Sequence, residues 1–360
     1  MNYEGFCTRD ALVNWLDDLA GQVSLVIPVN DSGFLLYRQV VSVADIAWLV
    51  GESGPSTEQM YPHRPVLAVK EMFFPSTEPL VKIKKKAQQV LLEETLPDKP
   101  QVVFGVTPCD ARGVRIMDNI FIEDLPADAY YTRRRENVTM VGLACQEMGE
   151  SCFCTSLGGA PDDPSDMDIM LTEFEEGFLI QVVTEKGRSL LGKQKFYSDT
   201  STLNLDQVTN RATHTAISPL IPIPDIEAMP RLFNHEIWDR LAESCLSCRI
   251  CSYVCPTCRC FDLRDEMLPS ENGYECYQRI RCWDSCSRDA YRRIAGGHTP
   301  RATEAERLRN RIFCKFNYSP RQYGLEGTVA CTGCGRCIDA CPVNIDITEI
   351  LGCLAEVVNE

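Results

Sequence analysis

The chain has 360 residues, a formal net charge of −15 and 20 cysteines. So negative a molecule should repel nucleic acid and anionic membrane surfaces, which counts against both as partners. No apolar run approaches the length of a membrane span and the first residues do not resemble a signal peptide, so we expect reduced thiols that bind metal rather than disulfides.

Hydrophobic periodicity predicts an α/β domain over residues 1–225. The predicted elements are a helix over 10–20, strands over 23–29, 34–40 and 101–107, a helix over 112–121, a strand over 138–145, a hairpin over 169–184 and a short helix over 186–191. Two apolar strands that flank a helix are typical of an α/β unit, whose sites gather beyond the carboxyl ends of the strands. Cys109 and Cys145 lie at these strand ends.

A second domain is predicted over residues 226–360. Residues 198–230 are rich in Ser, Thr, Asn and Pro, which indicates a linker with a domain boundary near 225. Helices are predicted over residues 232–244, 279–294 and 303–313. These elements favour an α-helical, dicluster ferredoxin-like domain.

Two copies of one cysteine pattern dominate this second domain. They read Cys245-Leu-Ser-Cys248-Arg-Ile-Cys251-Ser-Tyr-Val-Cys255-Pro256 and Cys331-Thr-Gly-Cys334-Gly-Arg-Cys337-Ile-Asp-Ala-Cys341-Pro342. The pattern C-x2-C-x2-C-x3-C-P is that of two-cluster bacterial ferredoxins, in which three thiolates bind one [4Fe–4S] cluster and the fourth binds the other. A pair of zinc sites is the alternative, but zinc commonly uses two separated C-x2-C pairs.

This exchange of the fourth cysteine predicts two ligand sets. Cluster 1 takes Cys245, Cys248, Cys251 and Cys341, and cluster 2 takes Cys331, Cys334, Cys337 and Cys255. Backbone N–H groups of the loops and side chains such as Arg249 and Arg336 are candidate donors to the cluster sulfurs.

A possible third [4Fe–4S] site lies in the first domain, which offers the four thiols that such a cluster needs. Its candidate ligands are Cys109, Cys145, Cys152 and Cys154, with Asp110 as a conceivable substitute. The alternative is that these thiols are small apolar core residues. Five further cysteines are either additional thiols near the clusters or ligands of another site: Cys258, Cys260, Cys276, Cys282 and Cys286.

Motifs for nucleotide binding and catalysis do not appear in the sequence. There is no G-x-G-x-x-G at a strand–helix junction and no G-x-x-x-x-G-K-[ST], and the four histidines are scattered. We therefore expect no catalytic residue in this chain. The sequence predicts cofactors that carry single electrons and contains no motif for a substrate site. This combination indicates an electron-transfer subunit.

Several segments together resemble the family that comprises the sulfhydrogenase beta subunits and the iron–sulfur subunits of anaerobic sulfite reductases. The segments are Pro108-Cys109-Asp110, Tyr131 with Arg133-Arg134, Cys145 through Cys154, Cys255-Pro-Thr-Cys258-Arg-Cys260-Phe-Asp, Arg281-Cys-Trp283-Asp-Ser-Cys286, Gly296-Gly297-His298 with Pro300-Arg301, and both cluster runs. Because the first-domain cysteines belong to the shared pattern, the resemblance favours a third cluster.

The resemblance implies a cytoplasmic complex. A flavin-containing subunit would exchange hydride with NAD(P)H, and this chain would relay single electrons to or from a catalytic subunit. Sulfite reduction, hydrogen turnover and disulfide reduction all stay open as the terminal reaction. Two alternatives are a stand-alone reductase that uses the first-domain site on a small substrate, and a zinc-stabilised interaction protein.

Overall fold

The computed structural model describes residues 3–42, 64–192, 197–198, 220–291, 293–325 and 328–359. The strands are β1 Gly5–Thr8, β2 Ser24–Asp31, β3 Phe34–Val40, β4 Thr77–Lys86, β5 Gln89–Glu94, β6 Gln101–Val106, β7 Val138–Leu143, β8 Ile169–Phe174, β9 Gly177–Val182, β10 Phe261–Glu271 and β11 Tyr274–Trp283. The α-helices are α1 Arg9–Ala20, α2 Pro108–Asp118, α3 Ala129–Asn137, α4 Glu185–Leu191, α5 Ile237–Ala242, α6 Ile250–Tyr253, α7 Glu304–Phe313, α8 Ser319–Gln322, α9 Arg336–Asp339 and α10 Ile347–Asn359.

The first part of the chain forms a seven-stranded mixed sheet in the order β1-β9-β8-β7-β6-β2-β3. Strands β2, β6, β7 and β8 are parallel to their neighbours within this group. Along β6, side chains alternate between two cores, with Val102 and Phe104 on one face and Val103 and Val106 on the other. The predicted α/β unit is therefore confirmed. Its parallel strands bring the ends of β6 and β7, and the loops that follow them, to one edge of the sheet.

A second, four-stranded antiparallel sheet in the order β10-β11-β4-β5 corrects the prediction for the second part of the chain. The helix predicted over residues 279–294 is wrong, because β11 runs to Trp283 and pairs with both β10 and β4. The turn between β10 and β11 places Asn272 and Gly273 at φ 52° and 77°. Asn-Gly with both residues at positive φ is a strong hairpin signal, and it lies just before the residues that were predicted to be helical.

The cluster-bearing part of the chain is consequently not all helical. Strands β4 and β5 precede residue 225 and β10 and β11 follow it, so one sheet joins the two predicted domains. Residues 199–219, most of the predicted linker, lie outside the described residues. The two-domain division at residue 225 stays a prediction.

Helices do pack together around the remainder of the cluster-bearing part. Helix α7 begins at a capping box in which Thr303 and Glu306 exchange side-chain and backbone hydrogen bonds. Trp238 and Phe313 meet edge to face in the core that α5, α7 and α10 share. The helix predicted over 232–244 is shorter, because a 3₁₀ turn at Met229–Leu232 precedes α5. Within the described residues, no helix combines the length and the apolar character needed to cross a bilayer.

Candidate metal centres

The first cysteine run surrounds a cavity, which we name cavity 1. Its lining includes all four thiols predicted for cluster 1: Cys245, Cys248, Cys251 and Cys341. Ser247 and Arg249 adopt positive φ of 50° and 73°, so the loop turns tightly between consecutive cysteines. Leu308, Ile312 and Ile350 form part of its apolar wall.

The second run surrounds a smaller cavity, which we name cavity 2. The four thiols predicted for cluster 2 line it: Cys331, Cys334, Cys337 and Cys255. The structure thus brings Cys255 to the second run and Cys341 to the first, which is the exchange that the spacing predicts.

The four first-domain cysteines line a third cavity, which we name cavity 3. Cys109 lies in the first turn of α2, directly after β6, and Cys145 lies just after β7. Cys152 and Cys154 complete the lining from the loop that follows. These residues are 45 positions apart at the extremes, and the sheet brings them to one place.

The three cavities share walls and form a row with cavity 2 in the middle. Cys337 lines cavities 1 and 2, and Cys334 lines cavities 2 and 3. Backbone contact between cavities 2 and 3 is direct, since the Phe153 N–H donates to the Gly333 carbonyl at 2.8 Å. A Cβ at Gly333 would lie 2.6 Å from the Cys154 backbone, and its φ is +66°, so the loop requires glycine there.

Cations are buried around cavities 1 and 2, which indicates that these cavities are suited to strongly negative groups. Lys315 and Arg311 are both 5% exposed or less, and no ion pair joins them to a carboxylate in the described part of the chain. Arg311 has Nη1 at 3.5 Å from Cys258 Sγ, whereas its buried Nη2 has no hydrogen-bond partner among the described residues. Unpaired buried cations are costly, so thiolates and an anionic cluster in these cavities fit the surroundings.

The pKa of Lys315 reports the same electrostatic environment. Burial alone would lower this pKa, but the Cys255 and Cys258 sulfurs outweigh burial and raise it. The Lys315 ammonium also donates to Thr257 Oγ1 at 2.7 Å. A cation is therefore held beside cavity 2 by sulfur ligands rather than by a carboxylate.

Cavity 3 has its own cation, Arg64, which the sequence did not single out. Its Nη1 donates to Cys152 Sγ at 2.6 Å, and its Nη2 contacts Ser151 Oγ at 3.1 Å and the Asp339 carboxylate. Burial raises the pKa of the Cys145 thiol to about 12 and that of Cys154 to about 11. Thiolates at these positions need a metal to stabilise them.

Arg336 and Asp110 have a different role from the one predicted for each. Arg336 donates from Nη1 and Nη2 to the two Asp110 oxygens at 2.7 and 2.8 Å, and from Nε to the Pro65 carbonyl. Asp110 also accepts from the Val69 N–H. Arg336 is thus engaged by a carboxylate rather than by cluster sulfur, and the Asp110 carboxylate is not a free substitute ligand.

The remaining cysteines of the second part were predicted to be either additional thiols near the clusters or ligands of another site. Cys258 contacts Cys255, while Cys260 contacts Cys286, and this second contact lowers the pKa of Cys260 to about 6. Cys276 and Cys282 lie on β11.

Comparison with known proteins agrees with this geometry. Residues 244–345 match the family model of the 4Fe-4S dicluster domain, which defines the chain as an iron–sulfur protein of the dicluster class. Over 293 residues, 80% of this chain and 83% of the relative, it is 33% identical to Sulfhydrogenase 2 subunit beta of Pyrococcus furiosus. The chain belongs to the sulfhydrogenase subunit beta family. No solved structure matches it.

Proposed function

We propose that this protein is an electron-transfer subunit of a multi-subunit oxidoreductase and that it holds three [4Fe–4S] clusters in a row. One observation carries the proposal: three cysteine-lined cavities stand in sequence and share walls at Cys337 and Cys334. A [4Fe–4S] cluster supplies one-electron chemistry when bound. Adjacent cavities keep neighbouring electron sites close.

The ligand assignment follows the lining of each cavity. Cys245, Cys248, Cys251 and Cys341 hold cluster 1; Cys331, Cys334, Cys337 and Cys255 hold cluster 2; and Cys109, Cys145, Cys152 and Cys154 hold cluster 3. The protein's own contribution is charge and exclusion of water, because buried Lys315, Arg311 and Arg64 stabilise negative charge at the cavities.

We propose two kinds of partner, in line with the relative's designation as a hydrogenase subunit. A flavin-containing subunit would exchange electrons with NAD(P)H, and a catalytic subunit would carry out the terminal reaction. Hydrogen turnover, sulfite reduction and reduction of a disulfide substrate are the candidate reactions. The engagement of Asp110 by Arg336 favours the relay over a stand-alone reductase that uses Asp110 as an exchangeable ligand.

Iron and acid-labile sulfide analysis of anaerobically purified protein tests the proposal. We expect about twelve irons per chain, and about eight in a Cys109→Ala/Cys145→Ala variant, because only cavity 3 loses its ligands. Cys353→Ala is the matched control, since Cys353 lies on α10 and lines none of the three cavities, and it should retain about twelve. About eight irons in the unaltered protein would contradict the assignment of cluster 3. Zinc without sulfide would overturn the proposed electron-transfer function.

A further inference from the structure

The hydroxyl of Thr332 is buried beside cavity 2 without a hydrogen-bond partner in the described part of the chain. Thr332 lines this cavity between Cys331 and Cys334, two of the proposed ligands of cluster 2, and only 2% of it is exposed. Burying a hydroxyl without a partner is costly. The position therefore indicates an acceptor that the described residues do not supply.

A second threonine near cavity 2 shows the contrast. Thr257 is equally buried, and its Oγ1 lies 3.5 Å from the Sγ atom of Cys255. Its hydroxyl donates to the Ala330 carbonyl at 2.7 Å and accepts from the Lys315 ammonium at 2.7 Å. The protein's own groups thus satisfy the hydroxyl of Thr257, whereas the hydroxyl of Thr332 is left for a group inside the cavity.

The first cysteine run has a different residue at the matching position. Leu246 follows Cys245 in the way that Thr332 follows Cys331. Leu246 is 63% exposed, and a leucine side chain has no hydrogen-bond donor. The two runs share their cysteine spacing, but only the second places a hydroxyl after its first cysteine. Any effect of this hydroxyl should consequently be specific to cluster 2.

We propose that the Thr332 hydroxyl donates a hydrogen bond to a sulfur of cluster 2 and thereby raises the reduction potential of that cluster. This inference rests on the proposed function, because it requires a cluster in cavity 2. Hydrogen bonds to the sulfurs help to set the potential of an iron–sulfur cluster. Reduction makes the sulfurs more negative and so strengthens the bond, which stabilises the reduced state more than the oxidised state.

A water molecule trapped in cavity 2 is the alternative acceptor for this hydroxyl. Such a water would satisfy the hydroxyl without a direct contact between Thr332 and the cluster. Loss of the hydroxyl would then change the ratio of reduced to oxidised cluster by less than about twofold. The potential of cluster 2 therefore distinguishes the two acceptors.

The test uses Thr332→Val, which removes the hydroxyl and keeps the shape of the side chain, in the iron-loaded full chain. A redox titration followed by electron paramagnetic resonance gives the midpoint potentials. At a fixed solution potential, we expect the ratio of reduced to oxidised cluster 2 to fall by about tenfold, which is about 59 mV for one electron. The other clusters should keep their potentials, and the iron content should stay at about twelve.

Two further variants control for the substitution itself. Thr332→Ser keeps a hydroxyl and should keep most of the potential of the unaltered protein. Thr132→Val removes a hydroxyl that is also buried without a partner among the described residues, but Thr132 lies on α3 and lines none of the three cavities. It should change no potential.

Electron–nuclear double resonance in H₂O and D₂O gives a second readout. The proposed bond places an exchangeable proton beside a cluster sulfur. The spectrum of reduced cluster 2 should therefore contain an exchangeable proton coupling that Thr332→Ser retains and Thr332→Val lacks.

The outcomes separate this inference from the proposed function. A cluster 2 signal whose potential is the same in the unaltered protein, Thr332→Val and Thr132→Val overturns the role of Thr332 and leaves the relay intact. Absence of a cluster 2 signal from the unaltered protein overturns the relay itself. If Thr332→Val loses iron, Thr332→Ala and Thr332→Ser provide the comparison, since they also differ by the hydroxyl, and equal potentials in those two variants overturn the inference.

Discussion

Arg336 binds both carboxylate oxygens of Asp110 at 2.7 and 2.8 Å, and both side chains are 3% exposed or less. Each residue is the immediate neighbour of a predicted ligand, Asp110 of Cys109 and Arg336 of Cys337. One buried ion pair thus connects the wall of cavity 3 to the loop of cavity 2, across 226 positions of the sequence.

Breaking this pair should be strongly destabilising. Asp110→Asn leaves the Arg336 guanidinium buried without a counter-charge, which typically costs about 3–5 kcal/mol. We expect that loss in the free energy of unfolding, measured by anaerobic urea denaturation of the iron-loaded protein. The matched control is Asp265→Asn, which breaks the exposed pair with Arg279 and should cost less than about 1 kcal/mol. Equal losses in the two variants would contradict the prediction.

Arg64 should raise the reduction potential of cluster 3. It donates to Cys152 Sγ at 2.6 Å, and a cation stabilises the more negative, reduced state more than the oxidised one. Arg64→Met should therefore lower that potential by roughly 60 mV for each ~1.4 kcal/mol of lost interaction. A redox titration followed by electron paramagnetic resonance measures the shift.

The conservative variant Arg64→Lys keeps the charge and should shift the potential less than Arg64→Met does. Arg38→Gln removes an exposed arginine from β3 and should leave the potential unchanged. The prediction fails if Arg64→Met and Arg38→Gln give the same potential.

Lys315 should stabilise the iron-loaded protein more than the iron-free protein. Its ammonium is buried beside the Cys255 and Cys258 sulfurs, so thiolates that bind a cluster there would provide its counter-charge. Lys315→Met should thus speed the loss of iron to a chelator by about tenfold, which corresponds to ~1.4 kcal/mol. Lys82→Met, at an exposed position of β4, should leave that rate unchanged. A smaller effect at Lys315 than at Lys82 would contradict the proposed role.

Cys260 should react with alkylating agents at unusually low pH. Its contact with Cys286 lowers the thiol pKa to about 6, so above that pH the reactive thiolate predominates. Iodoacetamide labelling followed by peptide mass spectrometry should show a half-maximal rate near pH 6, where an ordinary thiol gives about 8.5. Cys286→Ala should move the half-maximum upwards.

An internal control for this labelling is present in the same chain. Burial raises the pKa of Cys7 to about 12, so Cys7 should stay unlabelled from about pH 5 to 9. A Cys260 profile with its half-maximum above about pH 8 would show that the contact with Cys286 does not favour the thiolate.

The sequence predicted those features that local pattern controls. Strands β6 and β7 are apolar runs, and the spacing of the cysteine runs specifies which thiols gather, so cavities 1 and 2 have the expected linings. Part of the hairpin of β10 and β11 was predicted as helix: the local Asn272-Gly273 turn signal was missed, and the pairing of β11 with β4 joins segments about 200 positions apart. Such non-local pairing leaves little helical or strand periodicity to read.

The roles of the charged residues around the cavities could not be predicted from the sequence for the same reason. Arg64 meets Cys152 across 88 positions and Lys315 meets Thr257 across 58, and neither lies in a recognisable motif. Arg336 was noticed because it lies in a cysteine run, but its partner Asp110 is distant in sequence. The grouping of the thiols around cavities 1 and 2 follows from spacing, whereas the partner of a buried charge depends on the whole fold.

The lining of cavity 3 has a consequence for how the protein is made. Cys109, Cys145, Cys152 and Cys154 leave the ribosome early, but Gly333 and Cys334 close the cavity from near the other end of the chain. The pocket in its native form therefore exists only after residue 334 has been translated. Cluster delivery to this site should follow that point of synthesis, and a nascent chain that stops before residue 334 should expose four thiols without a finished enclosure.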